Sequence, residues 1–275
     1  MAFLDQWLAA CRRNSSRLCL GLDPEPERLP APWTRDAQRL FDFCAAVVDA
    51  TADLVCAYKP QIAHFSAVGA EAQLERLVRH IHDRAPGVPV ILDAKRGDIG
   101  STARHYAREA FERYGADALT LSPFLGRDSL VPYMEAYPER GLFVLCRTSN
   151  PGSDDLQALD LQARSGAPAE RVFERVARLA AGDWNRHGQL GLVTGATRPH
   201  DIEAVRRIAP QLPLLIPGVG AQGGDLEATV RAAGDRFLIN ASRSILYAGE
   251  GREFAAAARA EAQRLRDAIG ALAPI

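Results

Sequence analysis

The sequence predicts a single domain of the α/β class, a (β/α)8 or TIM barrel, and two patterns predict it. Short apolar runs rich in β-forming residues alternate with longer segments of helical periodicity, as parallel βαβ units require. Eight such units fit the roughly 250 residues of a closed barrel, and 275 residues suffice for one large domain. A doubly wound open sheet is the alternative that this alternation leaves open.

The first predicted element is a short amphipathic helix ahead of the first strand. The predicted strands are the eight apolar runs at 17–22, 54–58, 88–92, 118–121, 142–145, 190–193, 212–216 and 237–239. Most are followed by a predicted helix, and these helices span 36–51, 70–85, 102–114, 168–186, 200–208, 224–233 and 252–271.

The longest interval between predicted strands runs from 145 to 190. It holds a helix, but a polar, turn-rich stretch comes first, Asn150-Pro-Gly-Ser-Asp-Asp-Leu-Gln157. Long loops at the active end of a barrel often close over the ligand. A lid-like insertion around 150–166 is therefore expected, with an ordinary surface insertion as the alternative.

Composition excludes several classes of protein. The net charge of −1 gives no general attraction to nucleic acid or to an anionic membrane, so neither is an expected partner. No apolar run approaches the roughly 18–20 residues of a membrane span, and the order of charges at the start is wrong for a signal peptide. The five cysteines are scattered and never spaced as CxxC, which is typical of reduced thiols in a cytoplasmic protein.

Charged residues cluster where the first three predicted strands end. Asp23 follows the first strand, Lys59 follows the second, and the third runs directly into Asp93-Ala-Lys-Arg-Gly-Asp98. Strand alternation places Asp93 and Lys95 on one face, and the C-terminal ends of barrel strands carry the active site. Because buried charges are costly unless they are paired or used, these ends together predict an Asp/Lys network. A solvated charge at any single strand end is the alternative.

The last two predicted strands are followed by residues suited to an anion. Glycines surround Gln222 after the seventh strand, where a helix is predicted to begin, and Arg243 follows the eighth. Loops after strands seven and eight are the usual phosphate site of these barrels, although simple turns with a surface arginine remain the alternative. The segment 218–223 also matches G-x-G-x-x-G, but six predicted strands precede the one it follows and Asn240 stands where an acid is needed. A dinucleotide fold is therefore not expected.

The segment Leu92-Asp-Ala-Lys-Arg-Gly-Asp-Ile-Gly-Ser-Thr102 resembles the signature of the orotidine 5′-phosphate decarboxylase family. The core of that signature is Asp-x-Lys-x-x-Asp followed by Ile and, further on, Thr. The resemblance covers about residues 17–245 and extends to four other strand ends, those of Asp23, Lys59, Gln222 and Arg243. Arg96 and Gly97 occupy the two variable positions of the signature between Lys95 and Asp98. These two residues and the long segment 150–189 resemble those of the longer bacterial branch of the family.

The resemblance implies decarboxylation of orotidine 5′-phosphate to uridine 5′-phosphate, the last step of pyrimidine nucleotide synthesis, without a metal or organic cofactor. Lys95 would stabilise the carbanion at C6 and then protonate it. Asp93 would stand against the departing carboxylate. Asp98, Ile99 and Thr102 would reach into the site of a second subunit, so the resemblance also implies a homodimer with shared active sites.

The resemblance implies a set of nucleotide-binding residues as well. The ribose hydroxyls would be held by Asp23 and Lys59, the phosphate by Gly220, Gln222 and Arg243, and the pyrimidine by Ser149 or its neighbour Thr148. Lys59 would in addition pair with Asp93. The phosphate takes no part in the chemistry, but its binding energy can close a lid and align the base.

Three other functions are compatible with part of the sequence pattern. A magnesium-dependent keto-sugar-phosphate decarboxylase or hexulose-phosphate synthase shares the signature but carries a glutamate near the end of the second strand. Here that position offers Lys59-Pro60-Gln61, and a cation there would repel the metal. A non-catalytic nucleotide-binding barrel would be expected to lose part of the charge network, yet all of it is present. A nicotinamide oxidoreductase is the most distant alternative.

Overall fold

The computed structural model describes residues 1–162, 169–219 and 224–275. Its eight parallel strands are β1 (Leu18–Leu22), β2 (Ala57–Pro60), β3 (Ile91–Arg96), β4 (Ala118–Leu121), β5 (Gly141–Arg147), β6 (Leu190–Thr194), β7 (Leu214–Pro217) and β8 (Phe237–Ala241). They are hydrogen-bonded in the order β2-β1-β8-β7-β6-β5-β4-β3, and bridges Tyr58–Val90 and Gln61–Asp93 join β2 to β3. The sheet closes on itself, which confirms the predicted barrel and excludes the open sheet.

Helices surround this barrel. They are α1 (Phe3–Asn14), α2 (Leu40–Thr51), α3 (Ile62–Ser66), α4 (Glu71–Arg84), α5 (Gly100–Arg108), α6 (Val131–Ala136), α7 (Val172–Ala181), α8 (Pro199–Ile208), α9 (Leu226–Ala233), α10 (Arg243–Leu246) and α11 (Phe254–Leu272). Sequence analysis missed α3, α6 and α10, because four to six residues are too few to show helical periodicity. The predicted helix 168–186 is shorter than expected, and Pro168 lies outside the described residues. No helix in the described ranges has both the length and the apolarity needed to cross a membrane.

The strands are buried on both faces, and each face contributes to a separate apolar core. The larger core, between sheet and helices, includes Leu20, Leu92, Leu119, Leu142 and Leu192. The smaller core fills the inside of the barrel with Cys19, Ala57, Ile91, Ala118, Phe143, Val193, Leu215 and Leu238. Strands buried on both faces have nearly continuous apolar sequences, which is why the sequence revealed all eight.

Helix α1 closes the N-terminal end of the barrel. Its residues Phe3, Trp7 and Cys11 pack against the inner core, and the Phe3 and Phe143 rings meet edge to face with centroids 5.6 Å apart. A Cβ at position 141 would overlap the Phe3 ring, so only glycine leaves room for this contact. The predicted amphipathic helix is thus a plug that lies opposite the C-terminal strand ends.

The described part of the predicted insertion is tied to the barrel by hydrogen bonds. Pro151–Asp155 forms a tight helical turn, and Asp160–Leu161 pairs antiparallel with Glu170–Arg171. Backbone hydrogen bonds of 3.0 Å connect Leu159 and Gln157 to the start of α7. Residues 163–168 lie outside the described residues, and closure of this segment over a ligand stays a prediction.

The five cysteines are all unpaired and buried, as the sequence predicted for reduced thiols. Burial raises the pKa of Cys19 to about 12, so its thiol remains protonated and behaves as an apolar side chain. Burial also raises the pKa of Cys44 and Cys146. These residues contribute packing rather than reactivity.

Candidate active site

A cavity of about 550 Å³ opens at the C-terminal ends of the strands, and its size suits a small-molecule ligand. Most of the predicted site residues line it, namely Asp23, Lys59, Asp93, Lys95, Thr148, Ser149 and Arg243. Two predicted phosphate-binding residues, Gly220 and Gln222, lie outside the described residues. The barrel therefore brings together side chains that are up to 220 positions apart in the sequence.

The predicted Asp/Lys network is present at the ends of β1, β2 and β3. Asp93 lies at its centre: its Oδ2 accepts a hydrogen bond from Lys59 Nζ at 2.8 Å, and its Oδ1 accepts one from Lys95 Nζ at 2.7 Å. Lys59 Nζ is also 3.9 Å from Asp23 Oδ1. The side chain of Lys59 is 5% exposed and that of Asp93 10%, whereas that of Lys95 is 46% exposed and reaches the cavity.

The buried members of this network keep their charges. Burial acts to raise the pKa of Asp93, but Lys59 and Lys95 attract its negative charge, hydrogen-bond it and hold the pKa well below the ordinary value. Burial acts to lower the pKa of Lys59, but Asp93 and Asp23 hold it above the ordinary lysine value. Asp93 is therefore a carboxylate and Lys59 an ammonium at neutral pH, and neither is available to accept or release a proton there.

These two lysines, Lys59 and Lys95, are the only lysines in the sequence, whereas arginine accounts for the other 31 of its 33 basic residues. Lysine differs from arginine in presenting a compact ammonium that can release its proton. Both lysines line the cavity. Both lysines of the sequence therefore lie at the cavity, where each pairs with Asp93.

Lys95 stands on an irregular part of β3. The pairing of β3 with β4 shifts between Leu92 and Arg96, so three residues of β3 lie opposite Thr120 alone. Lys95 has φ 47°, a left-handed conformation that residues other than glycine seldom adopt. Bulges of this kind re-aim side chains next to active sites, and this one brings the Lys95 ammonium back to Asp93. Simple alternation predicted the shared face correctly but not the bulge that produces it.

Thr120 is a site residue that sequence analysis missed. It is 1% exposed, it lines the cavity, and its hydroxyl donates to Asp93 Oδ1 at 2.8 Å. The sequence placed it inside an apolar strand, where threonine is a common β-forming residue. Only its inward position, level with Asp93, could have indicated a polar role.

The segment after β5 forms the cavity wall opposite the charge network. The Thr148 amide and hydroxyl both bond Gln157, and the hydroxyl also donates to Asn150 Oδ1 at 2.7 Å. Ser149 lies against Gly195, where a Cβ would stand 2.7 Å from the Ser149 backbone. The close approach of these two loops therefore requires glycine at 195.

Arg147 anchors this wall and was not predicted either. It is 2% exposed, and its guanidinium donates to Asp201 at 2.7 Å, Ser153 at 2.7 Å and Asp154 at 2.5 Å. Further bonds from Arg171 to Asp201 and from Arg198 to Asp154 extend it into a chain of alternating charges. This chain fixes the segment after β5 to the starts of α7 and α8. Its partners lie up to 54 positions apart, so no local pattern indicates it.

Arg243, the first residue of α10, is exposed and lines the cavity as predicted. Gly218 has φ 100°, a conformation that favours glycine, and begins the glycine-rich loop. Val219 and Gly224 pair across the four residues that the structure does not describe. The described ends of the loop thus lie beside the end of β7, as the sequence predicted.

Three buried oxygen atoms on the β1 and β8 side have no hydrogen-bond partner among the described residues: Asp23 Oδ1, Asn240 Oδ1 and Ser242 Oγ. All three residues line the cavity. Buried polar atoms are rarely left unpaired, so these three atoms are candidate contacts for a ligand. Asn240 and Ser242 were not predicted as site residues, although they lie in the same segment as the predicted residue Arg243.

Asp98, Ile99 and Thr102 lie outside the cavity lining of their own chain. The Asp98 carboxylate accepts a hydrogen bond from the backbone amide of Ile99 at 2.8 Å. The Ile99 side chain is 53% exposed. Phe124 and Leu125, on the loop after β4, are also exposed, at 81% and 51%. The amide of Ser122 bonds the Arg96 carbonyl at 2.7 Å and brings the two loops side by side at the rim.

Comparison with known proteins assigns the chain to a family. Residues 16–258 match the model of the orotidine 5′-phosphate decarboxylase / HUMPS family. An orotidine 5′-phosphate decarboxylase of Verminephrobacter eiseniae is 64% identical over 269 residues, which cover 97% of each chain. That of Paracidovorax citrulli is 63% identical over 274 residues, which cover 98% of this chain and 99% of the relative.

Solved structures agree with the sequence comparison. The OMP decarboxylase of Leishmania donovani superposes with a TM-score of 0.85 at 40% identity, covering 99% of both chains. The UMP synthase of the same organism gives a TM-score of 0.86 at 41% identity, covering 99% of this chain and 56% of that one. The matches extend over nearly the whole sequence and over the fold. The chain therefore belongs to the orotidine 5′-phosphate decarboxylase family of carboxy-lyases.

Proposed function

We propose that this protein converts orotidine 5′-phosphate to uridine 5′-phosphate and CO2, with Lys95 as the proton donor. The observation that carries the proposal is the Lys95 ammonium, which reaches the cavity and is held 2.7 Å from the buried carboxylate of Asp93. A cation fixed above a carbon that loses CO2 suits a reaction in which negative charge develops there. Membership of the family supplies the substrate class.

The chemistry follows from this pair of charges. The bond between C6 and the substrate carboxylate breaks, CO2 departs, and the electron pair stays on C6. The Lys95 ammonium stabilises that pair and then gives it a proton, and the resulting amine regains a proton from solvent. Asp93 faces the substrate carboxylate, and two like charges 4 Å apart repel by about 4 kcal/mol at an effective dielectric of 20. Departure of neutral CO2 relieves this repulsion.

The remaining residues hold the nucleotide in place. Asp23 and Lys59 bind the ribose hydroxyls, Ser149 binds the pyrimidine amide, and Arg243 binds the phosphate together with Gly220 and Gln222. The positions of these residues in the cavity support the proposed roles. The ribose residues adjoin the charge network, while Ser149 and Arg243 line other parts of the same cavity. The proposed lid segment, 150–166, begins directly after Ser149 and would cover the bound base.

The proposal requires neither a metal nor an organic cofactor. A magnesium-dependent reaction on a keto-sugar phosphate is the second candidate, since the family model includes such enzymes. The position of Lys59 favours the first candidate. Its ammonium lies 2.8 Å from Asp93 and 3.9 Å from Asp23, so a divalent cation bound by these carboxylates would face a buried positive charge.

Turnover in the presence of a chelator distinguishes the two candidates. The purified protein is incubated with orotidine 5′-phosphate and EDTA, and loss of substrate absorbance is followed alongside release of CO2. We expect the same rate with EDTA, with added magnesium and with neither. Absence of turnover without metal, combined with magnesium-dependent turnover of a keto-sugar phosphate, would refute the proposal.

Arg243→Ala tests the phosphate site. Loss of the guanidinium removes a charge-assisted contact of about 1.5–3 kcal/mol, so we expect the Kd for uridine 5′-phosphate to rise about 10- to 100-fold. The Kd for uridine, which has no phosphate, serves as the control and is expected to stay unchanged. An equal loss of affinity for both ligands, measured by calorimetry, would contradict a phosphate role.

We further propose that two copies associate through the rim surface of Ile99, Phe124 and Leu125. Large exposed apolar side chains in one patch are typical of interaction surfaces. The patch adjoins Asp98 and Thr102, which line no part of their own cavity. A second copy seated here would bring Asp98, Ile99 and Thr102 to the partner's site, where they would contact the ribose.

Complementation between two inactive variants tests this sharing. Lys95→Ala and Asp98→Ala are each expected to be nearly inactive as purified. After mixing and subunit exchange, half of the dimers combine one copy of each, and one of their two sites has both Lys95 and Asp98. We therefore expect about a quarter of wild-type activity to return. No recovery, despite exchange verified by mass spectrometry, would show that each site is built from one chain.

The cellular role proposed is pyrimidine nucleotide synthesis in the cytoplasm. The product, uridine 5′-phosphate, is a pyrimidine nucleotide, and the five unpaired cysteines suit a reducing compartment. Fractionation of the source cells, with activity assayed in each fraction, tests the location.

A further inference from the structure

The hydroxyl of Thr120 makes three hydrogen bonds, and all three go to the segment that carries Lys95. It accepts hydrogen bonds from the backbone amides of Ala94, at 3.0 Å, and Lys95, at 2.9 Å. It donates a hydrogen bond to Asp93 Oδ1 at 2.8 Å. A threonine hydroxyl has one proton and two lone pairs. Thr120 therefore uses its whole hydrogen-bonding capacity on three consecutive residues of β3.

These bonds hold the bulge in the form that the site needs. The three residues from Asp93 to Lys95 all lie opposite Thr120, and Lys95 keeps its left-handed φ of 47° while its amide bonds the hydroxyl. Such a backbone persists only when its surroundings hold it. Because Thr120 is 1% exposed, its hydroxyl is shielded from solvent by its neighbours.

Thr120 also acts on the charges themselves. Asp93 Oδ1 accepts the hydrogen bond from the Thr120 hydroxyl and also the one from the Lys95 ammonium at 2.7 Å, while Oδ2 accepts the one from Lys59. One hydroxyl thus sets both the orientation of the carboxylate and the backbone from which the ammonium extends. Its contacts include the carboxylate of Asp93 and the backbone amide of Lys95, the two residues whose side chains face the reacting carbon in the proposed function.

We propose that Thr120 is a positioning residue for decarboxylation, which fixes the Lys95 ammonium and the Asp93 carboxylate relative to the substrate. The inference rests on the proposed function for the identity of the reaction. It predicts a specific pattern: loss of the hydroxyl slows the chemical step while binding of the product persists. A threonine that only filled space in the barrel would instead tolerate a side chain of equal volume.

Three variants separate these roles. Thr120→Val keeps the shape and removes the hydroxyl, Thr120→Ser keeps the hydroxyl, and Thr51→Val is the matched control. Thr51 is also fully buried and hydrogen-bonded, to Val47 and Tyr58, but lies in α2 outside the cavity lining. If the valine variant does not fold, Thr120→Ala removes the same hydroxyl without adding a methyl group.

The first measurement is kinetic. We expect kcat of Thr120→Val on orotidine 5′-phosphate to fall about 100-fold, the effect of a displacement of about 1 Å in a catalytic group. The Kd for uridine 5′-phosphate should change by less than about threefold, and Thr120→Ser and Thr51→Val should keep kcat within about threefold of wild type. A valine variant with wild-type kcat, or one whose affinity falls as much as kcat, overturns the inference.

The second measurement does not depend on turnover. Because the chain has only two lysines, protein labelled with ¹³Cε-lysine gives two side-chain resonances, assigned with Lys95→Ala. We expect Thr120→Val to shift the Lys95 resonance and Thr120→Ser to leave it in place. An unmoved Lys95 resonance in the valine variant overturns the inference. If the wild type fails to decarboxylate orotidine 5′-phosphate, the proposed function fails, and this experiment still decides whether Thr120 positions Lys95.

Discussion

Lys95→Ala is expected to lower kcat on orotidine 5′-phosphate by at least about 10⁴-fold, because the substitution removes the group that we propose as both the proton donor and the cation beside C6. Uridine 5′-phosphate should still bind, since the contacts that we propose for the ribose, base and phosphate belong to other residues. Removal of the ammonium also leaves Asp93 Oδ1 with the Thr120 hydroxyl, and Oδ2 with Lys59. The buried carboxylate thus keeps two partners, and the variant should fold.

Lys95→Arg is the control that separates charge from proton transfer. It keeps a positive charge at the site, but a guanidinium does not release its proton at neutral pH. We expect it to be nearly as inactive as the alanine variant, with single-turnover kinetics showing loss of the chemical step. Lys95→Ala turning over near the wild-type rate would disprove the role proposed for this residue.

Trp7→Ala is expected to lower the free energy of unfolding by about 3–5 kcal/mol, the usual cost of removing a large buried aromatic side chain. Trp7 is 1% exposed and packs with Phe3 and Cys11 against the inner core. Its loss leaves a void at the end of the barrel that α1 closes. Urea denaturation followed by circular dichroism measures the change.

Arg12→Ala provides the matched control on the same helix. Arg12 is exposed, so its substitution should change stability by no more than about 0.5 kcal/mol. The Trp7 variant should retain kcat at temperatures where it is folded, because the plug lies at the opposite end of the barrel from the cavity. A loss of kcat in fully folded Trp7→Ala would contradict this separation of stability from catalysis.

The sequence predicted the strands better than their ends. The outer limits of β1, β4 and β6 match the apolar runs within one residue, but β2 and β3 extend past theirs, to Pro60 and Arg96. Hydropathy detects burial by apolar contact, whereas Lys59 and Asp93 are buried through charge pairing. The strand ends were therefore misjudged at the places where the barrel carries its polar site.

The residues of the candidate site also differ in whether the sequence could predict them. Charged residues at strand ends, such as Asp23 and Asp93, could be predicted because a charge beside a buried run is unusual. Thr120 could not, since its role arises from a bulge that has no signature in the sequence. Arg147 could not either, because the residues that neutralise it come from other loops. A charge next to an apolar run can thus be recognised in the sequence, whereas interactions created by the fold require coordinates.

The restriction of lysine to Lys59 and Lys95 has a practical consequence for labelling the protein. Reagents that acylate or reductively alkylate primary amines usually modify many surface sites, but here the surface cations are arginines, which such reagents spare. Of the two lysines, only Lys95 has a substantially exposed side chain. Apart from the terminal amine, a general amine reagent thus becomes an active-site titrant. The stoichiometry of its incorporation would count functional sites directly, and a nucleotide in the cavity would shield them.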